Sequence, residues 1–379
     1  MTSNDNRQGS ASKSRSARTA AFQRFNFFGG PPTPNNGGAS MAAFRRFNFL
    51  GINPGVFTGF VVLLVGLWIT TPAFHSAQNF QNIAQQVSIN AIIAVGMTFV
   101  IITAGIDLSV GSILGFVGIT TAMTLMAVPI VHRLGDGAMA AAVVAGLLAG
   151  ALVGFLNGAA VAWLRMQPFI VTLATMWAIR GAAEVMTDGS PIGIVSGDAP
   201  LAALRNSMLQ DKFTVLGMGY LGPFPIAALV AVVIAVIGHI LLTRTRIGRH
   251  VYALGGNEEA ARLSGINVAG IKLFVYTLSG VLSAVAAILL MSKLVSGQPT
   301  AGQGYELYAI AAVVVGGTSL FGGKGSVVGS IIGALIIGVI NNGLDLHGIS
   351  AFWQQIVTGA IILLAVLLDE VLRRRRGQL

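Results

Sequence analysis

Cysteine is absent from the 379-residue chain, and charged side chains make up only 9% of it. Without thiols the chain has no disulfide framework, no thiolate zinc site and no iron–sulfur cluster. Soluble domains usually carry about 25% charged residues, so 23 basic and 13 acidic residues are too few to cover a soluble protein of this size. The composition therefore excludes a water-soluble enzyme, and 54% hydrophobic residues exclude disorder over most of the length.

Metal and catalytic sites are also missing from the sequence. The histidines are widely separated, and no pair has a metal-ligand spacing. Residues 317–324 look like a phosphate-binding loop, but Gly323-Lys324 is followed by Gly325 where that loop requires Ser or Thr. No arrangement of catalytic serine, histidine or paired carboxylates stands out. We therefore expect no catalytic residue, no metal and no cofactor in this chain.

The charge is placed as in a membrane protein. Residues 1–50 are polar and basic, which predicts a disordered cytoplasmic tail ahead of a transmembrane domain over 51–379. Within the tail, AAFQRFNFFG at 20–29 recurs as AAFRRFNFLG at 42–51. The repeat is interpreted as a duplication, as an extension upstream of a start at Met41 instead of Met1, or as a basic-aromatic segment on anionic lipid.

Ten apolar stretches approach the roughly 20 residues that a membrane-spanning helix needs. They lack the alternation of barrel strands, so the predicted fold is an all-α polytopic membrane protein of about ten transmembrane helices. The eighth stretch is short and rich in glycine, which indicates a broken or re-entrant element. The predicted spans are 53–71, 80–104, 108–130, 138–163, 167–187, 221–242, 270–292, 307–320, 325–343 and 352–371.

The distribution of arginine predicts the orientation. Ten spans place both basic termini in the cytoplasm, together with the arginine-rich loop after the sixth span. The net charge of +10 is therefore interpreted as membrane orientation, with lipid and not nucleic acid as the contact. The longest external connection, 188–220, is expected to form a partner surface or a lid.

The loop after the sixth span carries the first chemical motif. Asn257 is a predicted N-cap, acids follow in the first turn, and Gly265 is a predicted C-cap, so a helix of about two turns is expected there. Glu259-Ala260-Ala261-x-x-x-Gly265 resembles the E-A-A-x-x-x-G loop of ABC import permeases. The resemblance implies a cytoplasmic coupling helix that seats on an ATPase subunit; the alternative is a solvated helix between spans. The implied coupling residues are Asn257, Glu258, Glu259, Ala260, Ala261, Arg262 and Gly265.

The second motif interrupts the chain after the second span. Residues 105–111, GIDLSVG, resemble the signature of ribose/xylose/arabinose-type sugar permeases, in a branch that also includes branched-chain amino-acid permeases. Further blocks at 168–175, 180–181 and 315–325 agree, so the resemblance covers roughly 50–372. Asp107 is expected either to cap a helix from Leu108 or to contact substrate. The implied signature or gate residues are Gly105, Asp107, Ser109 and Gly111.

The resemblance implies the transmembrane subunit of an ABC importer for a monosaccharide in the bacterial inner membrane, with the chain itself not an enzyme. Its partners would be an ATPase that binds ATP and Mg, a periplasmic or extracellular sugar-binding protein, and a second permease in a homodimer or heterodimer. Small embedded polar residues are the predicted substrate path, although such residues also bond neighbouring helices. They are Ser88, Asn90, Thr98, Asn157, Thr172 and Thr175.

Other functions remain open at this point. Within the family, the cargo is alternatively a nucleoside or a branched-chain amino acid. An ion-coupled secondary transporter would need embedded acids, for which Asp107, Glu184 and Glu306 are the candidates; a channel or scaffold is a further alternative. Arg180 and Glu184 share one helix face, which predicts a structural ion pair or a place on the path.

Overall fold

The computed structural model describes residues 54–126, 137–194 and 211–375, which belong to one compact unit, Arg45–Leu379. The tail with its repeat and residues 195–210 of the external connection lie outside the described residues. The helices are α1 (Pro54–Thr70), α2 (Ala77–Ile102), α3 (Val110–Met126), α4 (Gly137–Ala162), α5 (Pro168–Thr187), α6 (Ile226–Arg244), α7 (Arg246–Gly256), α8 (Glu258–Leu263), α9 (Val268–Leu294), α10 (Tyr305–Val315), α11 (Val327–Leu346) and α12 (Ala351–Arg375). A 3-10 turn (Pro72–His75) and strands β1 (Ile192–Gly193), β2 (Tyr220–Leu221), β3 (Phe224–Pro225) and β4 (Ser296–Gly297) connect them.

Helices α2 and α9 form the buried centre of the unit. Over their most apolar stretches, 89% of α2 and 67% of α9 is buried, compared with 28% of α4 and 17% of α5. Helix α9 packs along α4, α2 and α3, while α10 packs on α11. The outer helices leave large apolar side chains bare, including Leu148 at 64% and Trp177 at 71% exposure. Such a surface is typical of a protein embedded in lipid.

The most extensive helix contact joins α4 to α9, and glycine makes their close approach possible. A Cβ atom at Gly154 would lie 3.1 Å from the Cα atoms of both Gly280 and Thr277. Only a residue without a side chain allows the two backbones this approach. Small residues at helix contacts are characteristic of membrane proteins, where dispersion contacts between backbones replace the hydrophobic effect.

Each of the ten predicted spans contains one helix. Among the described residues, six helices are long and apolar enough to cross a membrane: α2, α4, α5, α6, α9 and α11. The other four contain shorter apolar helical stretches: Phe57–Thr70, Val110–Met126, Tyr305–Val315 and Ala351–Leu364. The eighth span was expected to be short, and its helix α10 has 11 residues, or about 16 Å of rise. The predicted start of the sixth span at 221 was wrong, because the β2–β3 hairpin comes first and α6 begins only at Ile226.

The chain beyond α5 is tied to the chain beyond α9. Strands β1 and β4 pair antiparallel, with Ile192 opposite Gly297 and Gly193 opposite Ser296. Residues 298–304 follow β4 and lead into α10 without helical or strand structure. These residues form consecutive turns, and because they extend the chain from β4 to α10 we call residues 298–304 the extended segment.

Candidate transport path and coupling face

Helix α8 is the short polar helix that the sequence predicts between the sixth and seventh spans. Asn257 caps it, with its side-chain oxygen accepting a hydrogen bond from the Ala260 N–H at 2.9 Å. At the other end Gly265 has φ +80°, and the Ile266 N–H donates to the Ala261 carbonyl at 3.1 Å. These contacts satisfy the free backbone groups at both helix ends. The N-cap therefore lies where the sequence predicted it, whereas Ser264 is the C-cap and the predicted Gly265 follows it in the left-handed conformation.

The faces of α8 differ sharply in exposure. Ala261 is only 4% exposed, whereas Leu263 is 82% exposed, so the helix presents a bare leucine away from the rest of the chain. Glu258 joins α8 to α9, because its carboxylate lies 2.9 Å from Lys272 Nζ and 3.2 Å from Arg262 Nη2. The pair with Arg262 is exposed on both sides and contributes at most about 1 kcal/mol, whereas the Lys272 side chain is only 19% exposed. The remaining predicted coupling residues are exposed: Glu259, Ala260, Arg262 and Gly265.

Helix α7, which leads into α8, contacts the ends of two membrane helices. Tyr252 Oη donates to the Gly325 carbonyl at 2.7 Å, just ahead of α11. Burial raises the pKa of Tyr252, so its hydroxyl stays protonated and donating at neutral pH. A Cβ at Gly255 would collide with the Ile102 carbonyl oxygen at the end of α2. Helix α7 thus connects α8 to the ends of α2 and α11. The sequence did not indicate Tyr252 or Gly255, because their partners are distant in the chain.

Asp107 lies fully buried in the turn between α2 and α3. The Ser109 N–H and hydroxyl donate to its Oδ1 at 3.0 and 2.6 Å, and the Ser279 hydroxyl of α9 donates to Oδ2 at 2.8 Å. The expected helix start at Leu108 was wrong, because α3 begins at Val110 and Ser109 directly precedes it. Asp107 does accept a hydrogen bond from a backbone N–H just ahead of the helix, that of Ser109, and so closes the turn that leads into α3.

Two predicted path residues extend this buried hydrogen-bond chain. Thr175 of α5 donates to the Asn157 side-chain oxygen at 2.6 Å, and the Asn157 amide of α4 donates to the Ser109 hydroxyl at 2.9 Å. The chain of donors ends at the Asp107 carboxylate. Hydrogen bonds between buried or partly buried polar side chains thus join four elements: α5, α4, the turn and α9.

The other predicted path residues do not gather at one opening. Three of them donate within the helix bundle: Thr98 to the Ser330 hydroxyl at 2.7 Å, Thr172 to the Ile106 carbonyl at 3.1 Å, and Ser88 to the Ala84 carbonyl. Asn90 keeps a buried oxygen with no partner among the described residues. The bonding of neighbouring helices, the alternative considered for these residues, accounts for most of them, and their role on the path stays a prediction.

The signature glycines allow close contacts around the same turn. A Cβ at Gly105 would collide with Tyr276 Oη of α9, and one at Gly111 would collide with the Gly302 carbonyl and the Glu306 carboxylate. Gly105 therefore lets the turn approach α9, while Gly111 lets α3 approach the extended segment. The motif is a packing motif in this structure.

Arg180 holds the extended segment. Its guanidinium donates to the carbonyls of Pro299 at 2.5 Å, Ala301 at 2.8 Å and Gly111 at 3.0 Å. No ion pair with Glu184 occurs in the described part of the chain, so that predicted pairing was wrong. The carbonyls of a non-helical segment require donors inside a membrane, and a guanidinium supplies several N–H groups in a fixed plane.

Residues 79–366 match the family described as branched-chain amino acid transport system / permease component. The chain belongs to this family. The match begins in α2 and includes α8, the Asp107 turn and the extended segment of this permease. With its apolar helices, the permease is a multi-pass membrane protein.

Curated relatives resemble the permease over most of their length. The ribose import permease protein RbsC of Haemophilus influenzae is 46% identical over 84% of this chain and 94% of its own. RbsC of Bacillus subtilis is 45% identical over 83% of this chain and 92% of its own. The xylose transport system permease protein XylH of Escherichia coli is 36% identical over 83% of this chain and 90% of its own. No solved structure matches the permease.

Proposed function

We propose that this permease is the transmembrane subunit of an ABC importer that carries a monosaccharide of the ribose or xylose type. Relatives named ribose and xylose permeases, similar along nearly their whole length, support this cargo. The observation that carries the mechanism is α8, a self-capped polar helix between two membrane helices with Leu263 bare. A short helix with one exposed apolar side chain is suited to dock in a partner's groove.

The proposed topology has ten crossings, with both termini and α8 in the cytoplasm of a bacterial inner membrane. Basic residues concentrated around α7 and α8 support this orientation; they are Arg244, Arg246, Arg249 and Arg262. The helices too short to cross alone are completed by neighbouring irregular chain, such as the extended segment ahead of α10. Irregular backbone is tolerated at membrane depth where protein or a water-filled cavity surrounds it.

Energy would come from a separate ATPase subunit that binds ATP and Mg, since the sequence of the permease contains no phosphate-binding loop. We propose that the ATPase seats on α8 and that its movement passes through Tyr252 and Gly255 to α11 and α2. A binding protein on the outer face would deliver the sugar. Two permease copies, identical or paralogous, would enclose the path.

Reconstitution tests this function directly. Proteoliposomes that contain the permease with its ATPase subunit should accumulate ribose or xylose only when ATP is supplied to the ATPase and the sugar-binding protein is outside. Nucleosides and branched-chain amino acids, tested as competitors, should not reduce uptake. Uptake by the permease alone under a proton or sodium gradient would instead establish a secondary transporter.

A further inference from the structure

The extended segment lies at membrane depth. Its two ends run along α3, with Gly297 just before it against Gly118 and Gly302 against Gly111. Seven residues of helix correspond to about 10 Å, so the segment follows α3 inward by that distance. Arg180, which holds it, also lies seven residues before the end of α5 at Thr187. Gly118, which faces the start of the segment, lies eight residues before the last residue of α3, Met126, or about 12 Å. Both helices therefore place the segment about 10 Å or more inside their ends.

The inner side of the extended segment packs against α3 and accepts hydrogen bonds from Arg180. Pro299 and Gly302 are buried against α3, and the carbonyls of Pro299 and Ala301 accept hydrogen bonds from Arg180. The positive charge of Arg180 is therefore directed at backbone oxygens, and it is held away from the opposite side of the segment.

The outer side of the segment is polar and open. Thr300 and Gln303 are exposed, and neither side chain has a hydrogen-bond partner in the part of the chain that the structure describes. Glu184, one turn from Arg180 on α5, is exposed as well. Polar side chains facing lipid at this depth would lose their hydration without compensation. Such groups belong on a water-filled path.

We propose that Thr300 and Gln303 contact the sugar during transport and that Arg180 is the positioning residue that holds their segment. The inference rests on the proposed function. A neutral sugar presents hydroxyls, and the Gln303 amide both donates and accepts hydrogen bonds, as does the Thr300 hydroxyl. Neither residue carries a fixed charge that would retain a neutral cargo. The open pair thus differs from the buried polar residues of the Asp107 turn, which are already committed to one another.

The first test uses the natural absence of cysteine, which gives a clean background for labelling. Thr300→Cys and Gln303→Cys, each assembled with the partner subunits in proteoliposomes, should react with a membrane-impermeant maleimide. Saturating sugar should slow both reactions. Leu148→Cys, an exposed apolar position within α4, is the control and should stay unlabelled. Absence of labelling at both test positions, or equal labelling at Leu148→Cys, overturns the proposal.

The second test separates sugar contact from a structural role. Gln303→Ala and Thr300→Val should change the ratio of ribose to xylose uptake by about 5-fold, the factor expected from one ordinary hydrogen bond. Arg180→Lys should shift the ratio in the same direction, because a point charge positions the segment less well than a planar guanidinium. Gln78→Ala, an exposed glutamine in the first turn of α2, should leave the ratio unchanged.

Equal loss of both sugars in the Gln303 and Thr300 variants would assign the segment a purely structural role and overturn the proposal. A wild-type complex that transports neither sugar with ATP would contradict the proposed function. The labelling result would still report whether the segment faces water, so the two failures are distinguishable.

Discussion

Helix α8 and the extended segment are both short, and both contain backbone N–H or C=O groups that make no helix or strand hydrogen bond. The two segments provide hydrogen-bond partners for these groups in opposite ways. In α8 the partner is local, since Asn257 caps an N–H three residues away. In the extended segment the partner is remote, since Arg180 reaches carbonyls 119 and 121 positions along the chain. A locally closed helix is able to move as a unit, whereas a remotely held segment moves only when the packing around it changes.

The comparison predicts its largest effect at Arg180. Arg180→Gln removes the charge and most of the donors, so several carbonyls at membrane depth lose their hydrogen bonds. A hydrogen bond to a charged group contributes about 1.5–3 kcal/mol, and Arg180 makes three of them, so ATP-driven uptake should fall more than about 10-fold. The uptake rate of Arg180→Lys should lie between the rates of Arg180→Gln and the wild type. Uptake is measured in proteoliposomes and divided by the amount of folded permease. Wild-type uptake in Arg180→Gln would show that the segment needs no remote partner.

Gly255 and Gly256, the last two residues of α7, provide a nearly matched pair of variants for the connection to α8. Gly255→Ala drives a methyl group into the Ile102 carbonyl, while Gly256→Ala meets nothing within 4 Å. Overpacking of this kind costs about 1–3 kcal/mol, so Gly255→Ala should reduce sugar moved per ATP hydrolysed by about 10-fold. Gly256→Ala should stay within about 2-fold. Equal behaviour of the two variants would exclude Gly255 from the connection between α8 and α2.

Asp107 tests the buried hydrogen-bond chain that lies beside the extended segment. Asp107→Asn keeps the shape but turns an amide NH2 toward the Ser109 or Ser279 donors. The mismatch should cost about 1–3 kcal/mol, seen as a lower melting temperature of the purified permease. An unchanged melting temperature would mean that the carboxylate is not the acceptor on which the turn depends.

The smallest effect is expected at the caps. Asn257→Ala should cost α8 about 1 kcal/mol. Uptake should fall by no more than about 5-fold, because the Glu258–Lys272 ion pair and the buried Ala261 still hold α8 in place. Asn267 makes the same kind of cap on α9, where its side-chain oxygen accepts from the Gly270 N–H at 2.9 Å. Asn267→Ala should leave uptake unchanged, since α9 is held by packing along its whole length. A larger effect at Asn267 than at Asn257 would reverse this ranking.

The same difference explains what the sequence could predict. The ten helical stretches, the N-cap of α8 and the glycine that follows its C-cap come from signals within a few residues of each other, and the structure contains them. The partners of Arg180 could not be read from the sequence, because they depend on where α3, α5 and the extended segment meet. The expected ion pair with Glu184 used helix periodicity alone and ignored the competing carbonyls.

Asp107 shows a second limit of local reasoning. The acid ahead of an apolar stretch suggested a helix from Leu108, yet α3 begins two residues later at Val110, directly after Ser109. Similarly, Thr98 and Asn157 were identifiable as embedded polar residues, but their commitment to Ser330 and Ser109 depends on helix packing. The unassigned polar residues, Thr300 and Gln303, lie in a stretch with no helical periodicity to draw attention to them.

The most direct measurement of the central claim concerns Leu263, which is 82% exposed at the end of α8. Leu263→Asp changes no buried contact, so the permease should fold normally. The account predicts that this variant loses binding to its ATPase subunit and loses ATP-driven sugar uptake to the same degree. Normal ATPase binding together with normal uptake in Leu263→Asp would contradict the account.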